Sequence, residues 1–273
     1  MTGIKHWLVP DWPAPANIHA ATTLRTGGVS LGTFSSLNPA AHVNDDNERV
    51  RQNRQIIRAM LALPAEPIWL EQIHSNRAVK AVKAVILEQA DASYSNESGV
   101  VCAVMTADCL PLLVCSTDGA QIAAIHAGWR GLLAGVITNT VVAMQMPLSP
   151  PFLKGEVNQF YNTDLGSPLC KRGARGDLLV WLGPAIGPDC FEVGPEVREA
   201  FLEKSASFND AFKQQSNGKW LADIYQLARI ELAALGIVNV YGGTHCTFTE
   251  QERFYSYRRE SQTGRMATLI WRE

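Results

Sequence analysis

The chain lacks long apolar runs, long runs of one charge and any cysteine spacing typical of a disulfide scaffold. No stretch approaches the roughly 18 consecutive apolar residues that a membrane-spanning helix needs, and the first fifteen residues hold no apolar core typical of a secretory signal. The 24 Lys and Arg against 26 Asp and Glu give a formal charge of −2, which argues against nucleic-acid and membrane partners. The six cysteines are scattered, so we expect reduced thiols and a cytoplasmic protein.

The remaining composition is that of an ordinary globular protein, with 273 residues, 47% hydrophobic and 18% charged. Short apolar runs predict buried strands at 99–109, 111–117, 121–128, 178–187, 238–243 and 267–271, and the run 68–82 that follows Pro67 is also strand-like. Amphipathic segments predict helices at 46–62, 129–145, 194–204 and 221–236. Apolar strands followed by helices are typical of a sheet covered on both faces. We therefore predict a single α/β domain over residues 1–273, with a mixed β-sheet flanked by helices.

Residues 147–176 interrupt this pattern. The segment is rich in Pro and Gly, has no periodicity, and lies between a predicted helix and a predicted strand. These features predict a mobile insertion. We favour an inert insertion over a functional lid because such a composition packs poorly, and we expect Cys170 within it to carry no chemistry.

Three short motifs place metal-competent side chains at the ends of apolar strands. They are 71–74 (EQIH), 106–111 (TADCLP) and 126–131 (HAGWRG). A sheet fixes the position of such side chains while the adjoining loops leave an opening. Zinc accepts imidazole and thiolate together and keeps three protein ligands in catalytic sites, so His74, Cys109 and His126 are a suitable set. Their wide separation along the chain argues against a zinc finger and for a site assembled by tertiary structure.

Spacing alone leaves other interpretations of these residues open. A histidine in a strand is often a satisfied core residue, and a cysteine there is often a small hydrophobe. Cys109 and His126 could also form the nucleophile and base of a metal-free hydrolase, such as a deamidase or amidase, in which His74 has no role. A multicopper oxidase is disfavoured because its trinuclear cluster needs more imidazoles than six histidines supply.

Longer stretches of the sequence resemble one known family. The matching segments are TADCLP, HAGWRG, Gln72-x-His74, the GPAIG and FEVG pair within 183–194, FYSYRRESQTGRMATLIW at 254–271, LRTGGVS at 24–30 and the Asn-Arg pair at 53–54. In these segments the chain is similar to the YfiH family, also called laccase-domain or peptidoglycan-editing-factor proteins. The resemblance covers the chain outside 147–176. Residues 37–41 depart from it, since LNPAA stands where the family more often has Asn-Leu-Gly.

The resemblance implies a zinc site made of His74, Cys109 and His126, which would also be the catalytic centre. It implies a fold shared distantly with cysteine-dependent toxin deamidases. It further implies phosphorolysis of adenosine, inosine, guanosine and methylthioadenosine, and hydrolytic deamination of adenosine. Bacterial members are associated too with removing wrongly incorporated amino acids from peptidoglycan precursors, so an editing factor is the alternative function. The expected partners are small molecules, namely purine nucleosides and phosphate, and the expected state is a monomer or a weak homo-oligomer.

Several polar residues beside these motifs are candidates for binding substrate. Phosphate is best held by guanidinium groups, and the candidates are Arg25, Arg130 and Arg258. Gln72 shares a strand face with His74, so we expect it near the pocket. Each arginine could instead be a solvated or structural ion-pair residue.

Two further residues are assigned lesser roles. Strand alternation directs the side chain of Asp108 away from that of Cys109, so we expect a buried structural carboxylate. His42 lies in an early loop, and we expect it to line the cleft.

Overall fold

The computed structural model describes residues 5–82, 88–145 and 177–273. The predicted insertion at 147–176 lies outside the described residues. The α-helices are α1 (Asn47–Met60), α2 (Trp129–Leu133), α3 (Val136–Gln145), α4 (Pro195–Lys204) and α5 (Ile224–Ala234). The strands are β1 (Trp7–Leu8), β2 (Ile18–Thr23), β3 (Ala78–Lys80), β4 (Ala92–Ser95), β5 (Val101–Thr106), β6 (Leu110–Ser116), β7 (Ile122–Ala127), β8 (Leu178–Leu182), β9 (Glu192–Val193), β10 (Phe212–Gln214), β11 (Trp220–Ala222), β12 (Val240–Gly242) and β13 (Met266–Arg272).

The strands of the described residues form three sheets. The largest has six strands in the order β12-β8-β6-β7-β4-β3, in which β12 with β8 and β3 with β4 are parallel and the other pairs antiparallel. A four-stranded antiparallel sheet has the order β1-β2-β13-β5, and a small sheet has the order β10-β11-β9. The predicted α/β class with a mixed sheet and flanking helices is confirmed, although the strands divide among three sheets rather than one.

The six-stranded sheet is buried on both faces because its central strands β6, β7 and β8 are apolar at every position except Ser116 and His126. On β6, Leu112 and Val114 pack into the cluster that includes residues of α3 and α5. Leu113 and Cys115, at the alternate positions, pack into a second cluster with Ile270 of β13. One face therefore carries helices and the other carries the four-stranded sheet, which explains the continuous apolar runs.

Helix α1 covers the outer face of the four-stranded sheet. It begins after Asp46, whose side chain accepts a hydrogen bond from the Arg49 amide and so caps the helix. Ile57 packs with Val101 and Leu269 of the sheet. The apolar stripe read from the sequence is thus the face that α1 buries.

Two local predictions need correction. The helix predicted at 129–145 is divided into α2 and α3, because Gly135 lies between them with φ of +85°, a conformation that glycine adopts without strain. The run after Pro67 forms only the short strand β3 and isolated bridges at Ile68 and Glu71. In the described part of the chain, no helix combines the length and hydropathy needed to cross a bilayer.

Candidate metal centre

His74, Cys109 and His126 converge at one end of the central strands β6 and β7 of the six-stranded sheet. Their ligand atoms lie within 4.8 Å of one another, and the Cys109 Sγ to His74 Nε2 distance is 3.8 Å. Within 5–82, 88–145 and 177–273 they are the one group of three such side chains placed closely enough to hold a metal. His126 is buried, Cys109 is half-buried and His74 is exposed. The trio therefore has one side open to solvent, as a catalytic metal site requires.

The sheet register brings two of these side chains together. β6 and β7 pair antiparallel, with Pro111 opposite His126 and Leu110 opposite Ala127. Cys109 is the residue just before β6, so it lies at the end of β7 where the chain turns into α2. The convergence of residues 17 positions apart therefore follows from one hairpin pairing.

The fully buried carboxylate of Asp91 accepts hydrogen bonds from both segments that carry the histidine ligands. Its Oδ1 accepts hydrogen bonds from His126 Nδ1 at 2.7 Å and from the His74 amide at 3.0 Å. Its Oδ2 accepts from the Ser75 amide at 2.6 Å, the Ser75 hydroxyl at 2.7 Å and the Ile73 amide at 3.3 Å. Because His126 directs Nδ1 to this carboxylate, its Nε2 is left to face the other two ligands, the arrangement seen in carboxylate–histidine–metal triads.

The backbone adopts left-handed conformations at two positions of the site. His74 has φ of +60° and Asp108 has φ of +91°, and non-glycine residues occupy this region only where surrounding interactions enforce it. Asp91 holds the turn at His74. The Asp108 carboxylate accepts from Thr247 Oγ1 at 2.6 Å and the Arg258 amide at 2.6 Å. Asp108 is thus a buried structural carboxylate, as expected, and it fixes the turn that presents Cys109.

Gly128 leaves the space in which the ligands meet. A Cβ at this position would lie 3.0 Å from Cys109 Sγ and 3.0 Å from His74 Cδ2. Its φ of −68° is open to any residue, so the need for glycine here is one of space and not of backbone conformation.

The ligands also shift one another's ionisation. Burial opposes loss of the Cys109 proton, but the charge of His126 and hydrogen bonds from both histidines outweigh it and lower the pKa of Cys109 to about 6. Burial likewise opposes protonation of His126, yet Cys109 and Asp91 raise the pKa of His126 to about 9. The cysteine is therefore a thiolate at neutral pH, the form that binds metals. Two imidazoles with a thiolate suit zinc and other borderline-soft metals.

Gln72 lies beside the metal centre but its amide group is engaged. Its Nε2 donates to the Met105 carbonyl at 2.8 Å, and its Oε1 accepts from the Met105 amide at 2.7 Å. These two bonds join the loop before β3 to the end of β5. Contact with substrate at Gln72 stays a prediction.

Each of the three predicted phosphate-binding arginines has contacts of its own. Arg25 donates to the carbonyls of Ser35 and Gln251, and Arg258 donates to the Glu192 carbonyl. Arg130 is exposed and stacks on the Trp129 ring, with its guanidinium carbon 4.3 Å from the ring centroid. Arg25 also lines a separate cleft of about 430 Å³ with Ser36 and Gln251, which contains none of the three ligands.

Sequence reasoning missed Asp91 and Gly128 as parts of the site. Asp91 lies in a short Ala-Asp-Ala segment with no motif around it, and only the tertiary hydrogen bonds reveal its role. Gly128 stands inside the HAGWRG motif, so the spacing after His126 was available as a signal. Its function follows only from the distances to Cys109 and His74.

The chain is similar to one protein family over nearly its full length. A family model described as multi-copper polyphenol oxidoreductase laccase matches residues 19–151 and 155–273. A purine nucleoside phosphorylase of Pseudomonas aeruginosa is 48% identical over 266 residues, covering 97% of this chain and 98% of that one. The purine nucleoside phosphorylase YfiH of Escherichia coli is 46% identical over 265 residues, with the same coverage of both chains.

Solved structures share the fold. A Neisseria meningitidis protein assigned to DUF152 superposes with a TM-score of 0.86 at 44% identity, covering 98% of this chain and 100% of that one. YlmD of Geobacillus stearothermophilus superposes with a TM-score of 0.84 at 28% identity, covering 100% of this chain and 98% of that one.

Proposed function

This chain belongs to the family described as multi-copper polyphenol oxidoreductase laccase, which includes the YfiH proteins, and from that premise we propose that it is a zinc-dependent purine nucleoside phosphorylase. The single observation that carries the proposal is the convergence of His74, Cys109 and His126 into one solvent-facing, metal-competent site. The names of full-length relatives supply the reaction class. The proposed substrates are adenosine, inosine, guanosine and methylthioadenosine, and adenosine deamination is a second proposed activity.

Phosphorolysis requires one bond to form as another breaks. A phosphate oxygen bonds to the ribose C1′ while the C1′–N9 bond breaks, and the purine leaves with that electron pair and takes up a proton. The products are the free base and ribose 1-phosphate. When bound, the metal would supply a Lewis acid next to the reacting groups.

The chain's own residues define the surroundings of that reaction. Asp91 holds the His126 ring and the turn bearing His74 in fixed positions. Cys109 remains deprotonated beside them. Preorganised groups of this kind lower the barrier because they need no rearrangement during the reaction.

A metal-free thiol hydrolase is the second candidate, and one observation favours it. Cys109 interacts with His126, and His126 is hydrogen-bonded to Asp91. Cysteine hydrolases connect a nucleophile, a base and an orienting carboxylate in the same way. The position of His74 argues against it, because a thiol mechanism has no use for a second imidazole 3.8 Å from the sulfur. A peptidoglycan-precursor editing factor of this kind would act on an amide or peptide bond.

A multicopper oxidase is a weaker match to the histidines. Three of the four histidines outside the trio have partners elsewhere: His6 with Thr26, His19 with Glu273 and His245 with Glu250. A trinuclear copper cluster needs a concentration of imidazoles, whereas the described residues contain one three-ligand group. We therefore favour a mononuclear site.

Metal analysis with a substrate panel tests the proposal. Protein purified without chelators should contain about one zinc per chain, and it should release purine base from the four nucleosides only when phosphate is present. Cys109→Ala should remove both the zinc and the turnover while the circular dichroism spectrum stays that of the folded protein. Turnover by metal-free protein would support the thiol hydrolase, and cleavage of a muropeptide without nucleoside turnover would support the editing factor.

We propose a cytoplasmic location and a monomer or weak homo-oligomer as the working unit. Cys109 binds metal only as a reduced thiolate, and a reducing compartment such as the cytoplasm preserves that form.

A further inference from the structure

Arg265 lies next to the metal centre. The register of β13 with β5 places Met266 opposite Thr106 and Ala267 opposite Met105. Continued by one residue, it places Arg265 opposite Ala107, two positions from Cys109. The side chain is half-buried and interacts electrostatically with the Cys109 sulfur.

The guanidinium of Arg265 retains most of its donors and its charge. Nη1 donates to the carbonyls of Thr263 at 2.9 Å and Gly264 at 3.0 Å. In the described part of the chain no carboxylate lies within 4.0 Å of it. Asp108 is near enough to interact, but its oxygens already accept from a backbone amide and two hydroxyls. A half-buried cation without an ion-pair partner is suited to an anionic ligand.

The imidazole of His42 lies at the rim beside Arg265. His42 lies in the short turn Ala41–Val43 before α1, and Asn38 ties this segment to Arg265 because its Oδ1 accepts from the Arg265 amide at 3.1 Å. Partial burial lowers the pKa of this imidazole, and so do the nearby charges of Arg265, Arg54 and His126. Because its pKa is lowered, this imidazole is neutral at pH 7, where its N–H group can donate a hydrogen bond to an anion held by Arg265.

We infer that Arg265, with His42 at the rim, forms an oxyanion subsite of the metal centre and binds the phosphate that is the co-substrate of phosphorolysis. The inference rests on the proposed function and adds to it the residue that holds the second substrate. The fork of a guanidinium gives phosphate two parallel hydrogen bonds. The three arginines predicted from the sequence are less suited, because Arg25 lines a separate cleft that contains none of the ligands, and Arg130 and Arg258 are exposed.

Phosphate binding and phosphate kinetics test this subsite. Titration calorimetry of zinc-loaded protein with inorganic phosphate alone should give a dissociation constant that weakens at least tenfold in Arg265→Gln. In steady-state phosphorolysis of inosine the same variant should raise the KM for phosphate at least tenfold and the KM for inosine less than threefold. Arg58→Gln, which removes an exposed arginine of α1, is the matched control and should leave both constants unchanged. Zinc content and melting temperature report whether each variant is loaded and folded.

Each outcome decides for or against the subsite. An unchanged phosphate KM in folded, zinc-loaded Arg265→Gln overturns it, as does a larger effect in Arg130→Gln. If Arg265→Gln does not fold, Arg265→Lys keeps the charge and loses the fork, so its phosphate KM should rise severalfold, and an unchanged value again overturns the subsite. Wild-type protein that binds phosphate through Arg265 but turns over no nucleoside would refute the proposed function and leave the subsite standing.

Discussion

Asp91→Asn is the substitution that most directly tests how the metal centre is built. The change removes one oxygen and the negative charge but keeps the size of the side chain. Five donors converge on the two carboxylate oxygens: the amides of residues 73, 74 and 75, the Ser75 hydroxyl and His126 Nδ1. An asparagine can accept from the donors on one side only, and its own N–H groups oppose the donors on the other.

The expected effects follow from the burial of Asp91. Leaving buried donors unpaired costs about 1–3 kcal/mol, and removing one partner of a buried charge pair costs about 3–5 kcal/mol. We expect the free energy of unfolding to fall by about 3 kcal/mol. Loss of a carboxylate that orients a metal-binding histidine typically weakens metal affinity by about 10- to 100-fold, which corresponds to about 1.4–2.8 kcal/mol.

Chelator competition on folded protein measures the metal affinity, and urea denaturation of metal-free protein measures the stability. Asp223→Asn is a matched control, because Asp223 also accepts two backbone hydrogen bonds, at the start of α5 and away from the site. Asparagine caps a helix about as well as aspartate, so this control should retain both stability and zinc affinity. An Asp91→Asn protein that held zinc within twofold of wild type would refute the role assigned to Asp91.

Three further substitutions probe the site and the fold. Gly128→Ala should weaken zinc binding about tenfold or more in chelator competition, without loss of helical content, because the new methyl group would lie 3.0 Å from Cys109 Sγ. Burial raises the pKa of Glu231, so the folded state holds that proton more tightly and stability falls as pH rises above the unfolded pKa of about 4.3. Glu231→Gln should therefore be more stable than wild type at pH 7 in urea titrations, with the difference vanishing near pH 4. Tyr225→Phe should lower the free energy of unfolding by about 1–3 kcal/mol, measured the same way, because the buried hydroxyl accepts from the Ala185 amide at 2.8 Å.

The strands and helices with clear periodicity were predictable from sequence because burial on both faces of the six-stranded sheet leaves unbroken apolar runs. The division into three sheets was not predictable in this way. Residues 99–109 and 111–117 look alike in composition, yet β5 joins β13 while β6 joins β7 and β8. Pairing between strands depends on contacts between residues distant in sequence, and the periodicity of hydrophobic residues within one segment carries no information about these contacts. The sequence shows a glycine at position 135, but it does not show that this glycine adopts a left-handed conformation that ends the helix.

The candidate ligands were predictable because motifs surround them, and the residues that support them were not. Asp91 reaches both histidines through hydrogen bonds to the His74 amide and the His126 ring, which are 17 and 35 positions away. Arg265 stands in a recognisable motif but draws attention only when β13 is paired with β5. Arg25 and Arg130 were selected from the sequence because they stand near glycines or a ligand, and Arg258 because of the SYRR motif, whereas antiparallel register is what brings Arg265 near Cys109.

Two turns that present metal ligands are stabilised in the same way, and this has a consequence for metal binding. His74 and the residue before Cys109 both have left-handed backbones, and each turn is held by a buried carboxylate, Asp91 or Asp108. Backbone strain of about 1–3 kcal/mol at each position persists only where the surrounding fold enforces it. Because hydrogen bonds to the protein enforce both turns, the ligands are arranged before metal arrives, unlike those of a zinc finger, which folds on its metal. Chelation should therefore abolish activity while leaving secondary structure intact, and zinc should restore activity without a refolding step.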